Sequence, residues 1–224
     1  MIIDTNAIVL HRMKYKDNSL IARLFTKEEG KISVIVNHAS KQKDNLFGII
    51  EPPNIIKLNY YKKKMGSLQT CKNASFLSNN LFIKKDILKL STALAIVEII
   101  DKTTPENDVN GNIYDLVDNM LELLNKTNIK AELILSYFLL HIASQLGFMP
   151  NLHDEENIEY NINKEIKIYL QTLNNCSHQN LSNIENVIID YNKLIVFFEK
   201  YITKHLKLNK KIQSLYMLRE ITNG

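Results

Sequence analysis

The sequence predicts an α+β fold in which a small closed barrel of about five strands precedes an all-helical C-terminal domain. Three observations support this prediction: short β-branched segments between turn signals in the first 80 residues, a helical period from Ile83 onward, and a net charge that changes sign between the two parts. The chain has 224 residues and is 45% hydrophobic, which is enough to bury a core in two domains. We therefore expect one domain at residues 1–80 and a second at residues 81–224.

Five segments near the N-terminus have the composition and the alternation of β-strands. Leu20, Ala22 and Leu24, for example, alternate with residues that would face the other side of a sheet. Gly30 is expected to take the positive-φ position of the turn between the second and third strands. The predicted strands are Thr5–Arg12, Ser19–Phe25, Lys31–Asn37, Ile55–Tyr61 and Leu68–Ala74.

Apolar residues recur at helical spacing in the rest of the chain. Asp86 and Asn112 are placed to cap the first two helices, and Gly147 to end the third. Residues 151–185 are acidic, rich in Asn and weakly patterned, so we expect an irregular insert there. The last three predicted helices run from about Lys130 to Leu146, from Tyr191 to Leu206 and from Lys210 to Ile221.

One uncharged stretch, Leu133–Leu152, is long enough to cross a bilayer. Polar residues such as Ser136 and His141 interrupt it, so a buried core helix followed by a loop is the favoured interpretation. The first ten residues include Asp4 and lack the basic start of a signal peptide, and we expect a cytoplasmic protein. Two cysteines, at positions 71 and 176, favour free thiols over a disulfide framework.

The positive charge is concentrated in the first part of the chain. Residues 1–80 contain 13 Lys and Arg against 6 Asp and Glu, whereas residues 81–224 contain 15 against 18. The resulting net charges of +7 and −3 favour a polyanion as the partner of the first domain. The alternative is a solvated lysine-rich surface that reflects codon composition.

Several short segments, in order along the chain, match one known pattern. They include an opening strand at Ala7–His11, a Phe-Thr pair before an acidic Gly turn at Leu24–Lys31, and an apolar-Gly-to-Pro passage at Phe47–Pro52. Gly147–Pro150 and Lys211–Leu215 continue the pattern in the helical half. Together these segments resemble the RecO family of bacterial recombination mediators.

The resemblance implies an N-terminal OB-fold barrel and a helical C-terminal domain. Members of the family bind single- and double-stranded DNA and anneal complementary strands. They also bind the C-terminal tail of the single-stranded DNA-binding protein (SSB) and act with RecR to load RecA. The resemblance therefore implies a cytoplasmic, nucleoid-associated protein that needs no cofactor.

Two departures from the family pattern stand out. Many members have four zinc-binding cysteines after the Gly-x-x-Pro segment, but here that region offers only Cys176, His153 and His178. We therefore predict no metal site. The loop that is usually rich in Gly and basic residues has lost its glycines but keeps Lys41 and Lys43.

The DNA-binding candidates combine positive charges with aromatic rings, as expected for a strand-binding OB barrel. The strongest cluster is the lysine triplet that follows two tyrosines. Each tyrosine has the alternative of a core or rim position, and each lysine that of a solvated charge. The candidates are Lys14, Lys16, Arg23, Lys41, Lys43, Tyr60, Tyr61, Lys62, Lys63 and Lys64.

The helical half is expected to carry the protein contacts. An acidic, apolar SSB tail requires an apolar pocket with Lys or Arg at its rim, and the candidate cations are Lys84, Lys85, Lys89, Lys102, Lys126 and Lys130. Neither a phosphate-binding glycine loop nor a nucleophilic constellation is present in the sequence, so we expect no enzyme. Two alternatives stay open, an OB-fold RNA-binding module and a non-catalytic interaction scaffold.

Overall fold

The computed structural model describes residues 1–37, 46–78, 80–152, 164–207 and 211–223. The chain forms two compact units, of which the first comprises Met1–Leu81 and Val97–Asp115. The second unit comprises Phe82–Ile96 and Leu116–Gly224. The barrel unit therefore includes a segment, Val97–Asp115, that the sequence analysis assigned to the helical domain.

The first unit contains a closed barrel of five strands in the order β1-β2-β3-β5-β4. This arrangement confirms the predicted fold class, a barrel followed by helices. Closure depends on β1, because its first part, Ile2–Ile8, pairs with β4 and its later part, Ala7–Tyr15, pairs with β2. The strands are β1 Ile2–Tyr15, β2 Ser19–Thr26, β3 Gly30–Val36, β4 Ile55–Tyr61 and β5 Gln69–Ser78.

The barrel core follows from the alternation of side chains along each strand. Leu20, Ala22 and Leu24 of β2 are fully or almost fully buried, as the sequence pattern predicted. Burial of a large aliphatic side chain stabilises a fold by about 1.5–3 kcal/mol. The other core residues on the strands are Ala7, Val9, Ile32, Val34, Val36, Ile56, Leu58, Tyr60 and Ala74.

The outer face of β2 and β3 is covered by the Val97–Asp115 segment of the same unit. Arg23 on β2 donates two hydrogen bonds of 2.6 Å to the carboxylate of Asp101. Lys31 on β3 donates to the Asp101 carbonyl oxygen at 2.6 Å, and Ser33 donates to Glu106 at 2.8 Å. This face of the barrel is therefore an internal contact and not an open surface.

Helix α1 Leu46–Ile49 lies between β3 and β4 in the chain. Strand β5 is followed by α2 Leu81–Lys85, α3 Ile87–Thr103, α4 Gly111–Lys126 and α5 Ala131–Gln145. They are followed by α6 Lys164–Asn174, a 3₁₀ helix at His178–Ile184, α7 Tyr191–His205 and α8 Gln213–Asn223. In the second unit α5 packs against α6 and α7, and α7 packs against α8.

Helix α5 confirms the interpretation of the long uncharged stretch as a buried core helix. Eleven of its 15 residues are buried, including Ser136, whose hydroxyl donates to the Glu132 carbonyl oxygen at 2.6 Å. Within the described part of the chain, no helix is long and apolar enough to cross a membrane.

The predicted N-terminal cap is confirmed for α3 and is wrong for α4. Asp86 caps α3, because its Oδ1 accepts hydrogen bonds from the backbone N–H groups of Leu88 and Lys89. The prediction of Asn112 as the cap of α4 was wrong. Asn110 caps this helix, with its Oδ1 accepting from the Ile113 N–H at 3.1 Å. Both asparagines are compatible with the sequence pattern, and the backbone register decides between them.

The prediction of an irregular insert over residues 151–185 was wrong for its second part. Helix α6 begins at Lys164 and buries Ile166, Tyr169, Leu170 and Leu173 along one face. Their spacing is helical, but the surrounding Asn and Lys residues obscured it in the sequence.

The turn between β2 and β3 can accept only glycine at its last position. Gly30 has φ +66°, and a Cβ there would lie 2.1 Å from the Asp108 carbonyl oxygen. We expect Gly30→Ala to destabilise the protein by about 3 kcal/mol, through left-handed strain and overpacking. Gly66 is the matched control, since its φ is +75° and a Cβ would meet nothing within 4 Å. Urea unfolding should show a loss of about 1 kcal/mol for Gly66→Ala, and equal losses for the two variants would contradict this explanation.

The ion pair between Arg23 and Asp101 should contribute more to stability than its exposed neighbour, Lys27 with Asp115. The Asp101 side chain is 11% exposed, whereas Lys27 and Asp115 are both 51% exposed. We expect Arg23→Ala to lower the free energy of unfolding by about 2 kcal/mol, because it leaves a largely buried carboxylate without its charged partner. Lys27→Ala should cost about 0.5 kcal/mol or less in the same urea titration. A smaller effect for Arg23→Ala than for Lys27→Ala would show that the segment is held by other contacts.

Candidate nucleic-acid interface

The β1–β2 hairpin presents two of the predicted cations to solvent. Lys14 is an exposed residue near the end of β1, and Lys16 occupies the turn with φ +54°. The Lys16 ammonium lies 5.4 Å from the centroid of the Tyr15 ring, in a cation–π arrangement. The Tyr15 side chain is 39% exposed, so this hairpin offers both charge and an aromatic ring.

The lysine triplet lies at the β4–β5 hairpin, and its three members differ in their contacts. The Lys62 ammonium forms an ion pair with Glu29, at the β2–β3 turn. Lys63 donates from its ammonium to the Leu68 carbonyl oxygen at 3.2 Å. The Lys64 ammonium forms no hydrogen bond or ion pair with a described residue. All three side chains are exposed, but Glu29 offsets part of the positive charge at this hairpin.

Arg23 faces outward on β2, but its guanidinium is already paired with the Asp101 carboxylate. The hydrogen bond to Asp101 raises the pKa of the Arg23 guanidinium, which keeps the group charged. Burial lowers the pKa of the neighbouring Lys31 ammonium. These cations hold the Val97–Asp115 segment on the barrel.

The prediction of Tyr60 as a base-stacking residue was wrong. Its side chain is 1% exposed and belongs to the barrel core, where no base can reach it. Burial, with a smaller contribution from Glu29 and Glu28, raises the pKa of Tyr60 to about 12. Successive strand residues face opposite sides, so only one of two consecutive tyrosines can point to solvent. That residue is Tyr61, which is 44% exposed.

Lys41 and Lys43 lie outside the described residues, which omit 38–45. Arg12 is a further cation of the barrel, and it was not among the predicted DNA-binding residues. It contacts the segment that follows residues 38–45. Its guanidinium lies 5.4 Å from the centre of the Phe47 ring and forms an ion pair of 2.9 Å with Glu51. Arg12 therefore fixes the segment around α1 on the barrel.

Two further lysines that the sequence analysis did not select lie on the outer face of β1, β4 and β5. Lys57 on β4 and Lys72 on β5 are exposed, and neither forms an ion pair with a described residue. Strand alternation would have identified Lys57, which is four residues before Tyr61 and on the same face of β4. They border a cleft of about 340 Å³ whose lining includes Asp4, Lys57, Asn59, Lys72, Asn73 and Ser75.

Within the described residues, no group of three or more His, Cys, Asp or Glu side chains is placed to hold a metal ion. His153, one of the ligand candidates, lies outside these residues. Cys71 and Cys176 are free thiols. Burial raises the pKa of the Cys71 thiol to about 11, so this group stays protonated near neutral pH.

Comparison with known proteins gives matches along most of the chain. Residues 1–80 match the family model described as recombination protein O N terminal, and residues 84–194 match recombination protein O C terminal. DNA repair protein RecO of Chlorobium limicola is 33% identical over 152 residues. DNA repair protein RecO of Pelodictyon phaeoclathratiforme is 30% identical over 152 residues.

These alignments cover 68% of this chain and 58% of each of the two relatives. The chain therefore spans less than two thirds of the length of these curated relatives. The two family models describe the N-terminal and C-terminal parts of the same protein family. The first matches the part of the chain that contains the barrel strands, and the second matches the helical part. This chain belongs to the RecO family.

Proposed function

We propose that this chain is a DNA repair protein of the RecO type that binds single- and double-stranded DNA and anneals complementary strands. The observation that carries the proposal is the closed five-stranded barrel with exposed lysines and a tyrosine on its strands and hairpins. OB barrels bind oligonucleotides, and the family membership favours DNA as the ligand.

The proposed mechanism is electrostatic and needs no bond to be made or broken. Ammonium groups at the two hairpins would neutralise backbone phosphates, which lowers the repulsion between two strands that approach each other. An exposed ring such as Tyr61 would stack on a base irrespective of its identity. Binding of this kind is independent of sequence, as the annealing of arbitrary complementary strands requires.

We further propose that the helical unit binds the SSB tail and RecR, and that the protein thereby helps to load RecA on SSB-coated DNA. An acidic tail with apolar residues fits a groove between α7 and α8, with a volume of about 590 Å³. Its lining residues are Val196, Glu199, Lys200, Thr203, Lys204, Lys211, Tyr216 and Arg219. The groove thus combines apolar atoms with a rim of four cations and one carboxylate, that of Glu199.

Several of the lysines that the sequence analysis proposed for this contact are engaged within the second unit. Lys89 donates to the Thr127 carbonyl oxygen at 2.7 Å, and Lys126 forms an ion pair with Glu122. Lys130 donates to the Glu185 carbonyl oxygen at 3.4 Å. We propose the groove between α7 and α8 for the tail because its lining combines apolar atoms with several cations, of which Arg219 pairs with Glu199 at 3.6 Å.

The direct test is fluorescence anisotropy with a single-stranded DNA of about 30 nucleotides, between about 50 and 200 mM salt. We expect salt-dependent binding by the full chain. Replacement of Lys62, Lys63 and Lys64 by Ala should weaken it and flatten the slope of log K against log salt by about 1.4, because each phosphate contact contributes about 0.7 for single strands and Lys62 is already paired with Glu29. The control replaces Lys84, Lys85 and Lys126, which removes the same charge from the helical unit.

Three outcomes would contradict the proposal. Negligible binding at low salt would favour the interaction scaffold. Much tighter binding to RNA of the same length would favour the RNA-binding module. Normal DNA binding without acceleration of annealing, followed with two labelled complementary strands, would remove annealing from the proposed function.

A further inference from the structure

OB barrels generally bind nucleic acid across the outer face of strands 2 and 3. In this chain that face is occupied by the Val97–Asp115 segment. The Arg23 guanidinium and the Ser33 hydroxyl donate to the carboxylates of Asp101 and Glu106. A bound strand would have to break a bidentate ion pair and then meet the released carboxylates. The usual face is therefore the least favourable path for a polyanion on this barrel.

On the outer face of β1, β4 and β5, in contrast, the lysine side chains are exposed and are not paired with carboxylates of the described residues. The strand register places Asp4 of β1 beside Asn59 of β4, and Asn59 beside Asn73 of β5. Lys57 and Lys72 lie on the same three-stranded face and line its cleft. Among the described residues no carboxylate pairs with either ammonium, so both remain available to an anion.

Most polar side chains of the cleft carry hydrogen-bond donors, and Asn59 Oδ1 is a buried acceptor without a partner among the described residues. Asn73 accepts the Ala74 N–H through its Oδ1 at 2.8 Å, which leaves its amide N–H groups for another acceptor. The Ser75 hydroxyl and the two ammonium groups add further donors. The lining includes one carboxylate, that of Asp4, which accepts a hydrogen bond of 2.6 Å from Asn59 Nδ2. Such a donor set suits the acceptor oxygens of a phosphodiester.

An exposed aromatic ring continues the same face. Tyr61 lies on β4 two residues beyond Asn59 and four beyond Lys57, which corresponds to about 13 Å along the strand from Lys57. Its neighbour across the register is Ile2 of β1, which is 45% exposed. A strand whose phosphates lie over the cleft could therefore place a base on the Tyr61 ring.

We propose that the outer face of β1, β4 and β5 is the single-stranded DNA-binding surface of this barrel. Lys57 and Lys72 bind backbone phosphates in the cleft, and Tyr61 stacks on a base. The inference rests on the proposed function and specifies its site. It also predicts that Arg23 makes no contact with DNA, since this residue holds the Val97–Asp115 segment in place.

The test measures anisotropy with a thymidine oligonucleotide of about 30 residues across the same salt range. For the Lys57→Ala/Lys72→Ala variant we expect about tenfold weaker binding near 100 mM salt and a salt slope flatter by about 1.4. The control Lys84→Ala/Lys85→Ala removes the same charge from α2 and should change the affinity by less than about twofold. Tyr61→Ala should weaken binding by about fivefold or more with an unchanged salt slope, because stacking releases no counterions.

A fourth variant protects the test against misfolding. Asp4→Asn removes the carboxylate from the cleft while its amide can still bond to Asn59, so we expect DNA binding to tighten by about two- to threefold. A gain of affinity cannot arise from an unfolded barrel. Urea unfolding of all four variants should stay close to that of the wild type, as for other surface substitutions.

The outcomes separate this inference from the proposed function. If the wild type binds DNA but Lys57→Ala/Lys72→Ala behaves like its control, the β1–β4–β5 surface is wrong and the function stands. If Arg23→Ala abolishes DNA binding while the protein stays folded, the β1–β4–β5 surface is likewise wrong, and DNA binds the outer face of β2 and β3. If the wild type fails to bind at low salt, both the function and the surface are overturned.

Discussion

The bidentate ion pair between Arg23 and Asp101 joins the barrel to the end of α3 and thereby fixes which barrel faces are open. Both hydrogen bonds are 2.6 Å long, and the Asp101 carboxylate is largely buried. The same residue accepts from Lys31 through its carbonyl oxygen, so one position on α3 binds two neighbouring strands. Because of these contacts, Val97–Asp115 belongs to the barrel unit despite its place among the helices in the sequence.

This arrangement changes the meaning of the positive charge in the first 80 residues. Arg12, Arg23 and Lys62 each contact a carboxylate within the first unit, and Lys31 contacts a carbonyl oxygen. These groups stabilise the fold, and a ligand would have to displace their partners. Among the described residues of the first unit, the cations without a carboxylate or carbonyl partner are fewer, and several of them lie on the β1–β2 and β4–β5 hairpins and on the outer face of β1, β4 and β5. A total charge therefore overestimates the surface that a polyanion can use.

The second unit shows how a core helix can resemble a membrane segment in sequence. Helix α5 is apolar on nearly all sides because α6 and α7 pack against it, and its buried Ser136 hydroxyl bonds to its own helix. The groove between α7 and α8 is different in character, because Lys and Arg side chains surround its apolar atoms. The proposed nucleic-acid surface on the barrel and the proposed groove for an acidic tail therefore differ in chemistry.

The sequence by itself determined the fold class, the five strands, the glycine turn at Gly30 and the Asp86 cap. These features depend on local periodicity and on backbone conformation, which neighbouring residues specify. It misassigned Tyr60, although strand alternation already limited the two tyrosines to one exposed ring. Only the tertiary structure decided that Arg23 is paired with Asp101 and that Lys57 and Lys72 are exposed without an ion-pair partner among the described residues. Asp101, the partner of Arg23, lies 78 residues away in the chain, and no local pattern encodes such a contact.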